Sequence, residues 1–239
     1  RFSSFNSIPN HCLYVSESGL KSIMTSYMAP QDNEQFSLPG AEAFENVNHV
    51  TYDAVSCDAA LNAYQARYGQ RALADYELAS ADLIVSFGAD FLGDWQGGGY
   101  DHGYSKGRVP QNGKMSRHVQ FESNMSLTGA NADQRVPLTP ARQKVALAHL
   151  YARLNGSSTS GDLPERAARA LDRVVEAIAK NRSRAVVLTG LDDEDAQSVV
   201  LAINEMLGSR AFMPNAPRYI RQGNTKAVNQ LIADMQAGK

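Results

Sequence analysis

The residues with the clearest chemical potential directly follow a strongly apolar stretch, in the sequence SFGAD at residues 86–90. A glycine just past a buried strand lets a ligand approach the backbone closely, and the carboxylate of Asp90 could accept ribose hydroxyls or a guanine edge. A structural role fits the same residues, with Gly88 turning the chain and Asp90 capping a helix or forming an ion pair. Because no GxGxxG motif opens a helix here, spacing alone favours the structural role.

A glycine-rich segment follows at residues 93–113 and contains three large aromatic residues, Trp95, Tyr100 and Tyr104. A segment this long without regular structure is often functional, and aromatic side chains are enriched in the cores of protein interfaces. We therefore expect a long flexible loop that contacts a partner through these three residues.

A metal site can be imagined in the same segment, from Asp94, Asp101 and His102. Two carboxylates and one histidine on a glycine-rich loop are a weak signal, so we expect no metal site. Cys12 and Cys57 are too few for a four-cysteine cluster, and neither lies in a CxxC motif. They could form a disulfide, or each could be a small buried thiol.

The stretch at residues 115–133 is dense in hydrogen-bonding side chains, including Ser123, Ser126 and Thr128. A nucleophile is conceivable, but His118 lies inside a predicted strand and no GxSxG motif is present. The pattern instead favours a buried loop held together by its own hydrogen bonds.

Arg221, Gln222 and Gly223 precede the last predicted helix, which Asn224 opens. Helix N-termini bind anions through free N–H groups, so these residues could contact an anionic cofactor. A simple turn followed by an N-cap fits the same residues.

The elements that must position these residues alternate along the chain. The pattern predicts helices beginning after Ser16 or Ser18, at Ser56, after Thr139, at Asp162 as part of a capping box, at Asp192 or Asp193, and at Asn224. The predicted strands are residues 12–15, 47–51, 81–88, 117–121 and 185–189.

Strands alternating with helices indicate parallel βαβ units and an α/β fold. Residues 81–88 are almost continuously apolar, as in a strand buried on both faces. We expect a Rossmann-like, mostly parallel sheet with helices on both faces. The linker at residues 155–161 predicts two α/β halves, residues 1–155 and 156–239.

The composition and charge of the chain limit the classes of partner that it is expected to bind. The chain has 239 residues and a formal net charge of -2, without the basic patch expected of a nucleic-acid-binding protein. No apolar run approaches the roughly 20 residues of a membrane-spanning helix. We therefore expect neither nucleic-acid binding nor a direct membrane span.

Three segments together resemble a known family: HVTYDAVS at 49–56, ADLIVSFGADFLGDW at 81–95 and GKMSRHVQFESNMSLTGANADQRVPL at 113–138. They are similar to the B subunit of alternative complex III, in its molybdopterin-oxidoreductase-like portion. Residues 186–208 and 219–239 are similar to later parts of that portion. The second segment is shared across molybdopterin enzymes, whereas residues 115–133 are specific to the family.

The resemblance implies a quinol-oxidising respiratory complex on the periplasmic side of the bacterial inner membrane, with c-type haem subunits among the partners. It implies that this portion carries no metal and that iron–sulfur clusters lie in a ferredoxin-like part after residue 239. On that basis we expect a fragment that is itself not catalytic, with no bound cofactor.

The family's cofactor-binding stretches come from more than one domain, and 239 residues leave room for only some of them. Ser86, Gly88 and Asp90, together with Arg221, Gln222 and Gly223, are therefore candidates only for vestigial cofactor contacts. Two alternatives remain: part of a catalytic oxidoreductase binding a pterin dinucleotide, and an unrelated nucleotide-binding α/β module.

Overall fold

The computed structural model describes residues 11–17, 20–25, 47–110 and 113–237, and side chains from residue 50 onward. The chain divides into two compact units. The first contains Arg1–Asp58 and Tyr219–Lys239, and the second contains Ala59–Arg218.

Strands and helices mostly alternate from residue 47 onward, whereas the first two strands follow one another directly. The strands are β1 (His11–Glu17), β2 (Leu20–Thr25), β3 (Val47–Thr51), β4 (Leu73–Tyr76), β5 (Leu83–Phe87), β6 (Arg117–Glu122), β7 (Gln134–Pro137), β8 (Ala185–Thr189) and β9 (Phe212–Arg218). The helices are α1 (Asp58–Tyr68), α2 (Asp101–Arg108), α3 (Leu127–Ala130), α4 (Pro140–Leu154), α5 (Glu165–Asn181), α6 (Glu194–Leu207) and α7 (Thr225–Gln236).

The second unit is built on a four-stranded sheet with the order β7-β6-β5-β8. Its strands are all parallel, with Val85 opposite both Val119 and Val187. Helices cover the sheet, so the predicted Rossmann-like α/β fold is confirmed. β4 and β9, which the sequence pattern did not reveal, form a separate antiparallel pair in the same unit.

Alternate residues of β5 supply two separate cores, one on each face of the sheet. Leu83, Val85 and Phe87 pack into a cluster with α4, α5 and α6. Ile84 points into the other cluster, which contains residues of α1 and α2. Because both faces are covered, every residue of β5 is buried, as the continuous apolar run predicts.

The helix predicted after Ser16 or Ser18 is wrong, because residues 20–25 form strand β2. β2 pairs antiparallel with β1, and β1 also pairs with β3. Only two residues, one of them Gly19, separate β1 from β2 in the sequence. A two-residue connection containing glycine favours a hairpin, and this signal outweighs the apparent helical spacing of the apolar residues.

The long flexible loop predicted at residues 93–113 is also wrong. A short 3₁₀ turn covers Trp95–Gly97, and α2 follows at Asp101–Arg108. Consecutive parallel strands need a crossover connection, and α2 lies in the one between β5 and β6. The four-residue spacing of Tyr100 and Tyr104 places both rings on one helical face, and this spacing is the sequence feature that indicates helix α2.

The helix starts predicted after Thr139, at Asp193 and at Asn224 are confirmed. Asp193 caps α6, its carboxylate accepting the N–H of Ala196, and Gly208 ends that helix in the left-handed conformation. Asn224 caps α7 in the same way. The predicted capping box at Asp162 is wrong, because α5 begins at Glu165 after Pro164 and has no side-chain cap.

The two compact units divide the chain at residues 58/59 and 218/219, and not at the predicted boundary between residues 155 and 156. β8 lies after that boundary but pairs with β5, which lies before it.

Among the helices that the structure describes, none combines the length and the apolar character needed to cross a bilayer.

Candidate functional site at the carboxyl edge of the parallel sheet

Gly88 ends β5 in the left-handed conformation, with φ +73°. Its N–H donates to the carbonyl oxygen of Phe121 at 2.7 Å. A Cβ at this position would lie 2.7 Å from Oε1 of Gln143. The expected close approach to the Gly88 backbone is therefore made by the carboxamide of Gln143, from the first turn of α4.

β5 and β8 meet at the point where the connections leave for opposite faces of the sheet. α2 follows β5 and places Tyr104 in one core cluster, whereas α6 follows β8 and places Ala196 and Val200 in the other. Open α/β sheets bind ligands in the crevice at such a switch point. Here the two connections touch, because a Cβ on Gly190 would collide with the carbonyl oxygen of Gly88.

Trp95 spans this switch point. Its Nε1–H donates to the carbonyl oxygen of Thr189, the last residue of β8, at 3.2 Å. Its ring centroid lies 5.1 Å from that of Tyr100 and 5.8 Å from that of Tyr76. The Trp95 indole thus connects the segment after β5 to the carboxyl end of β8. The rings of Tyr76 and Tyr100 pack against this indole.

The other two candidates from β5 serve the protein's own structure. The hydroxyl of Ser86 donates to the carbonyl oxygen of Ala89 at 3.3 Å. The carboxylate of Asp90 accepts the N–H of Thr128 at 3.0 Å, and the N–H of Leu92 donates to Oγ1 of Thr128 at 2.9 Å. Asp90 therefore has a structural role: it binds a first-turn N–H of α3, whose N-cap is Ser126.

The N-terminus of α6 lies beyond β8 and carries four consecutive acidic residues, at positions 192–195. Asp193 uses its carboxylate to cap the helix, and Lys144 lies 2.6 Å from it. The hydrogen bond from Lys144 lowers the pKa of Asp193, so the cap stays ionised. The negative charge at this helix terminus would repel a phosphate, whereas helix termini that bind phosphate do so through free N–H groups.

A row of polar side chains lies buried on one face of β6, next to these connections. Nε2 of His118 is 3.2 Å from Oε1 of Gln120, and its Nδ1 is 3.2 Å from the hydroxyl of Tyr104. With the Gln120 oxygen as acceptor, Nε2 carries the ring proton. Burial lowers the pKa of His118 to about 4, so the imidazole is neutral near pH 7.

Glu122 ends the row and is the anchor of the following loop. Its carboxylate accepts hydrogen bonds from the hydroxyl of Ser126 at 2.6 Å, from Gln120 at 3.3 Å and from Arg135. A Cβ on Gly129 would collide with this carboxylate. The loop is held by its own hydrogen bonds as predicted, with the hydroxyl of Ser126 engaged with Glu122 rather than His118. The predicted burial is wrong, because most residues between Glu122 and Asp133 are exposed.

The aromatic residues predicted to contact a partner are mostly inside the second unit. Tyr100 and Tyr104 are only 3% and 6% exposed, and their hydroxyls reach Gln96 and Asn131. Both rings form part of the core on one side of the sheet, and a partner contact through them stays a prediction. Trp95 is partly exposed.

Arg221, Gln222 and Gly223 belong to the first unit and so to a different body from Ser86, Gly88 and Asp90. The N–H of Gly223 donates to Oδ2 of the buried Asp53 at 2.9 Å, and Nη1 of Arg221 lies 3.8 Å from Oδ1. The anion beside this turn is thus a carboxylate of the chain itself. Sequence spacing could not reveal Asp53, which is 170 residues from Gly223.

No cluster of three or more histidine, cysteine, aspartate or glutamate side chains suited to a metal ion occurs within the described residues. Asp101 and His102, which an imagined metal site would have used, lie on the exposed first turn of α2.

The fold and this edge define the class of the protein as an α/β protein with a Rossmann-like parallel sheet. No family model matches the chain, and no curated protein matches it in sequence.

Proposed function

We propose that this chain is a cofactor-free structural and docking domain of the iron–sulfur electron-transfer subunit of a quinol-oxidising complex of the alternative complex III type. The resemblance of residues 81–95 and 113–138 supports the proposal. In it, the clusters lie in another part of the subunit. The complex sits on the periplasmic side of the bacterial inner membrane, among c-type haem subunits.

The observation that carries the proposal is the filled switch point. A dinucleotide in an α/β sheet needs the crevice at the carboxyl ends of the strands. Here Trp95 crosses from the segment after β5 to Thr189 at the end of β8. The side chain of Gln143 lies against Gly88. The residues that a cofactor would contact are thus already in contact with one another.

The charge at this edge supports the same conclusion. A pterin dinucleotide carries a pyrophosphate, which is stabilised by positive charge or free N–H groups. The described edge instead presents Asp192, Glu194 and Asp195 as exposed carboxylates, and Asp193 already caps α6. Binding of an anion at this helix terminus would therefore be opposed by electrostatic repulsion.

The docking surface that we propose is the loop after β6 rather than the buried tyrosines. Met125 and Leu127 are 71% and 57% exposed. Glu122 and Asp90 hold this loop by hydrogen bonds at the N-terminal end of α3, to Ser126 and Thr128. Residues 123–132 contain no charged side chain. A rigid loop that presents two apolar side chains is suited to a partner subunit, because immobilisation costs little when the loop is already ordered.

The proposal is tested by purifying the native complex and measuring molybdenum and iron in the subunit that contains this chain. We expect iron and no stoichiometric molybdenum. Stoichiometric molybdenum, or a pterin released on denaturation, would establish the catalytic alternative instead.

The docking surface is tested by replacing Met125 and Leu127 together with glutamine and measuring the retention of partner subunits during purification. We expect loss of partners at unchanged thermal stability of the subunit. Val109→Gln is the matched control, since Val109 is also an exposed apolar residue, at 51%. Equal retention by the two variants would reject this surface.

The nucleotide-binding alternative makes the opposite prediction in a thermal-shift assay. A nucleotide at one hundred times its Kd would add about 2.7 kcal/mol to the free energy of unfolding. We expect no such stabilisation by nucleotides or pterin dinucleotides. A saturable increase that Trp95→Ala strengthens would favour the alternative.

A further inference from the structure

We propose that Arg218 is the anchor of a carboxylate-binding site on the second unit, independent of the docking function above. Arg218 is the last residue of β9, where it pairs with Leu73 of β4. Its guanidinium carbon lies 4.8 Å above the centre of the Tyr100 ring. The cation is thus fixed on an aromatic platform, which favours arginine over lysine.

Part of the hydrogen-bonding capacity of this guanidinium is not used by the described residues. Nη1 is buried and has no hydrogen-bond partner among the described residues. The nearest carboxylate in its ion pair is Asp75, 3.9 Å from Nε, beyond hydrogen-bond distance. Burial raises the pKa of the Tyr100 phenol, so the ring beneath the guanidinium stays neutral and does not supply the negative charge.

Other partly buried arginines in the same unit differ in this respect. Arg108 holds both oxygens of Asp133 at 2.7 and 2.8 Å. Arg184 holds both oxygens of Asp82 at 2.6 Å. Arg218 is as buried as Arg108, with 19% of each side chain exposed. A fixed guanidinium without such a partner is suited to a planar carboxylate bound through two N–H groups.

The approach to Arg218 is lined by backbone. Nη2 lies beside Gly99, 3.7 Å from where a Cβ would stand. Gly97, Gly98 and Gly99 all have positive φ, so the loop beside the guanidinium presents backbone and no side chains of these three residues. The ligand class that fits is therefore a carboxylate, supplied either by a small molecule or by an acidic residue or chain terminus of a protein.

The test uses the fluorescence of Trp95, the single tryptophan of the chain, whose ring lies 5.1 Å from that of Tyr100. Acetate and succinate are titrated into the protein at constant ionic strength set with sodium chloride. We expect a saturable change, and we expect Arg218→Lys to weaken binding at least tenfold because lysine lacks the planar fork. Arg184→Gln, at an arginine already held by Asp82, is the control and leaves binding unchanged.

A second variant keeps the proposal testable if Arg218→Lys fails to fold. Asp75→Asn removes the neighbouring negative charge, so it should tighten carboxylate binding several-fold. A short peptide with a free C-terminus, its amidated form and an amidated peptide containing glutamate then distinguish the protein sources from free carboxylates. A wild-type signal that does not saturate, or affinities equal in wild type and both Arg218 and Asp75 variants, would overturn the site.

Discussion

On one face of β6, Val119 and Phe121 pack among apolar side chains, whereas on the other face His118, Gln120 and Glu122 form a row of hydrogen bonds. Both faces are fully covered. The apolar face is stabilised by shape and by removal from water. The polar face is stable only while each buried donor and acceptor keeps its partner. The two faces should therefore tolerate different substitutions.

The largest effect is expected on the apolar face. The ring of Phe121 stacks on that of Phe87 with centroids 4.8 Å apart, so Phe121→Ala should lower the free energy of unfolding by about 4 kcal/mol. Phe121→Leu should lower it by only about 1 kcal/mol, because volume is largely conserved. Urea unfolding measures both, and equal losses would show that shape does not dominate this face.

The next effect is expected at the end of the polar row. Glu122→Gln conserves shape but removes the charge that binds Arg135 and Ser126, so we expect a loss of about 3 kcal/mol. A double-mutant cycle with Arg135→Gln should give a coupling energy of at least 1 kcal/mol. Additive losses would indicate that the pair is not a unit.

The pH dependence of stability should come partly from the polar row. Burial lowers the pKa of His118 from 6.5 to about 4. The unfolded chain thus binds more protons below pH 6.5, and stability present above that pH is lost as pH falls through 6.5 towards 4. We expect a loss of about 2 kcal/mol between pH 7 and pH 5.

The control for this prediction is His118→Gln, in which that loss should disappear. Arg184 holds the pKa of Asp82 at about 2, so the contribution of Asp82 is lost only at more acidic pH, below its ordinary value of 3.8. An unchanged pH profile in His118→Gln would assign the loss to other groups.

The smallest effect is expected where the polar region joins the segment after β5. Thr128→Val conserves shape but removes the oxygen that accepts the N–H of Leu92. We expect a loss of about 1 kcal/mol in urea unfolding. Thr128→Ser, which keeps the hydroxyl, is the control, and similar losses in both variants would point to packing instead.

The sequence predicted the central strands and most helix ends because those signals are local. Residues 81–88 are too uniformly apolar to be exposed, and Asp193 and Asn224 are caps whose role depends only on the next three residues. The hairpin β1–β2 and helix α2 were missed because short apolar spacing and clustered glycines fit more than one local structure.

The sequence predicted some residues of the candidate site, but it did not predict which other residues they contact. Gly88 is correctly placed at the end of β5, but its neighbour Gln143 and the hydrogen bonds of Asp90 with Thr128 and of Gly223 with Asp53 were not foreseen. Tyr100 and Tyr104 looked available for a partner because glycines surround them in the sequence. They are buried because α2 turns both rings towards the core.

By itself the sequence determined that a buried strand lies within residues 81–88, that helices separate the strands of a parallel sheet, and that Gly88 lies at the carboxyl end of that strand. Hydrophobic periodicity and the conformational freedom of glycine suffice for these conclusions. Only the tertiary structure decided that Trp95 spans the switch point and that Arg218 lies on Tyr100. These contacts join residues far apart in the chain, and the strand pairing that brings them together leaves no local sequence pattern.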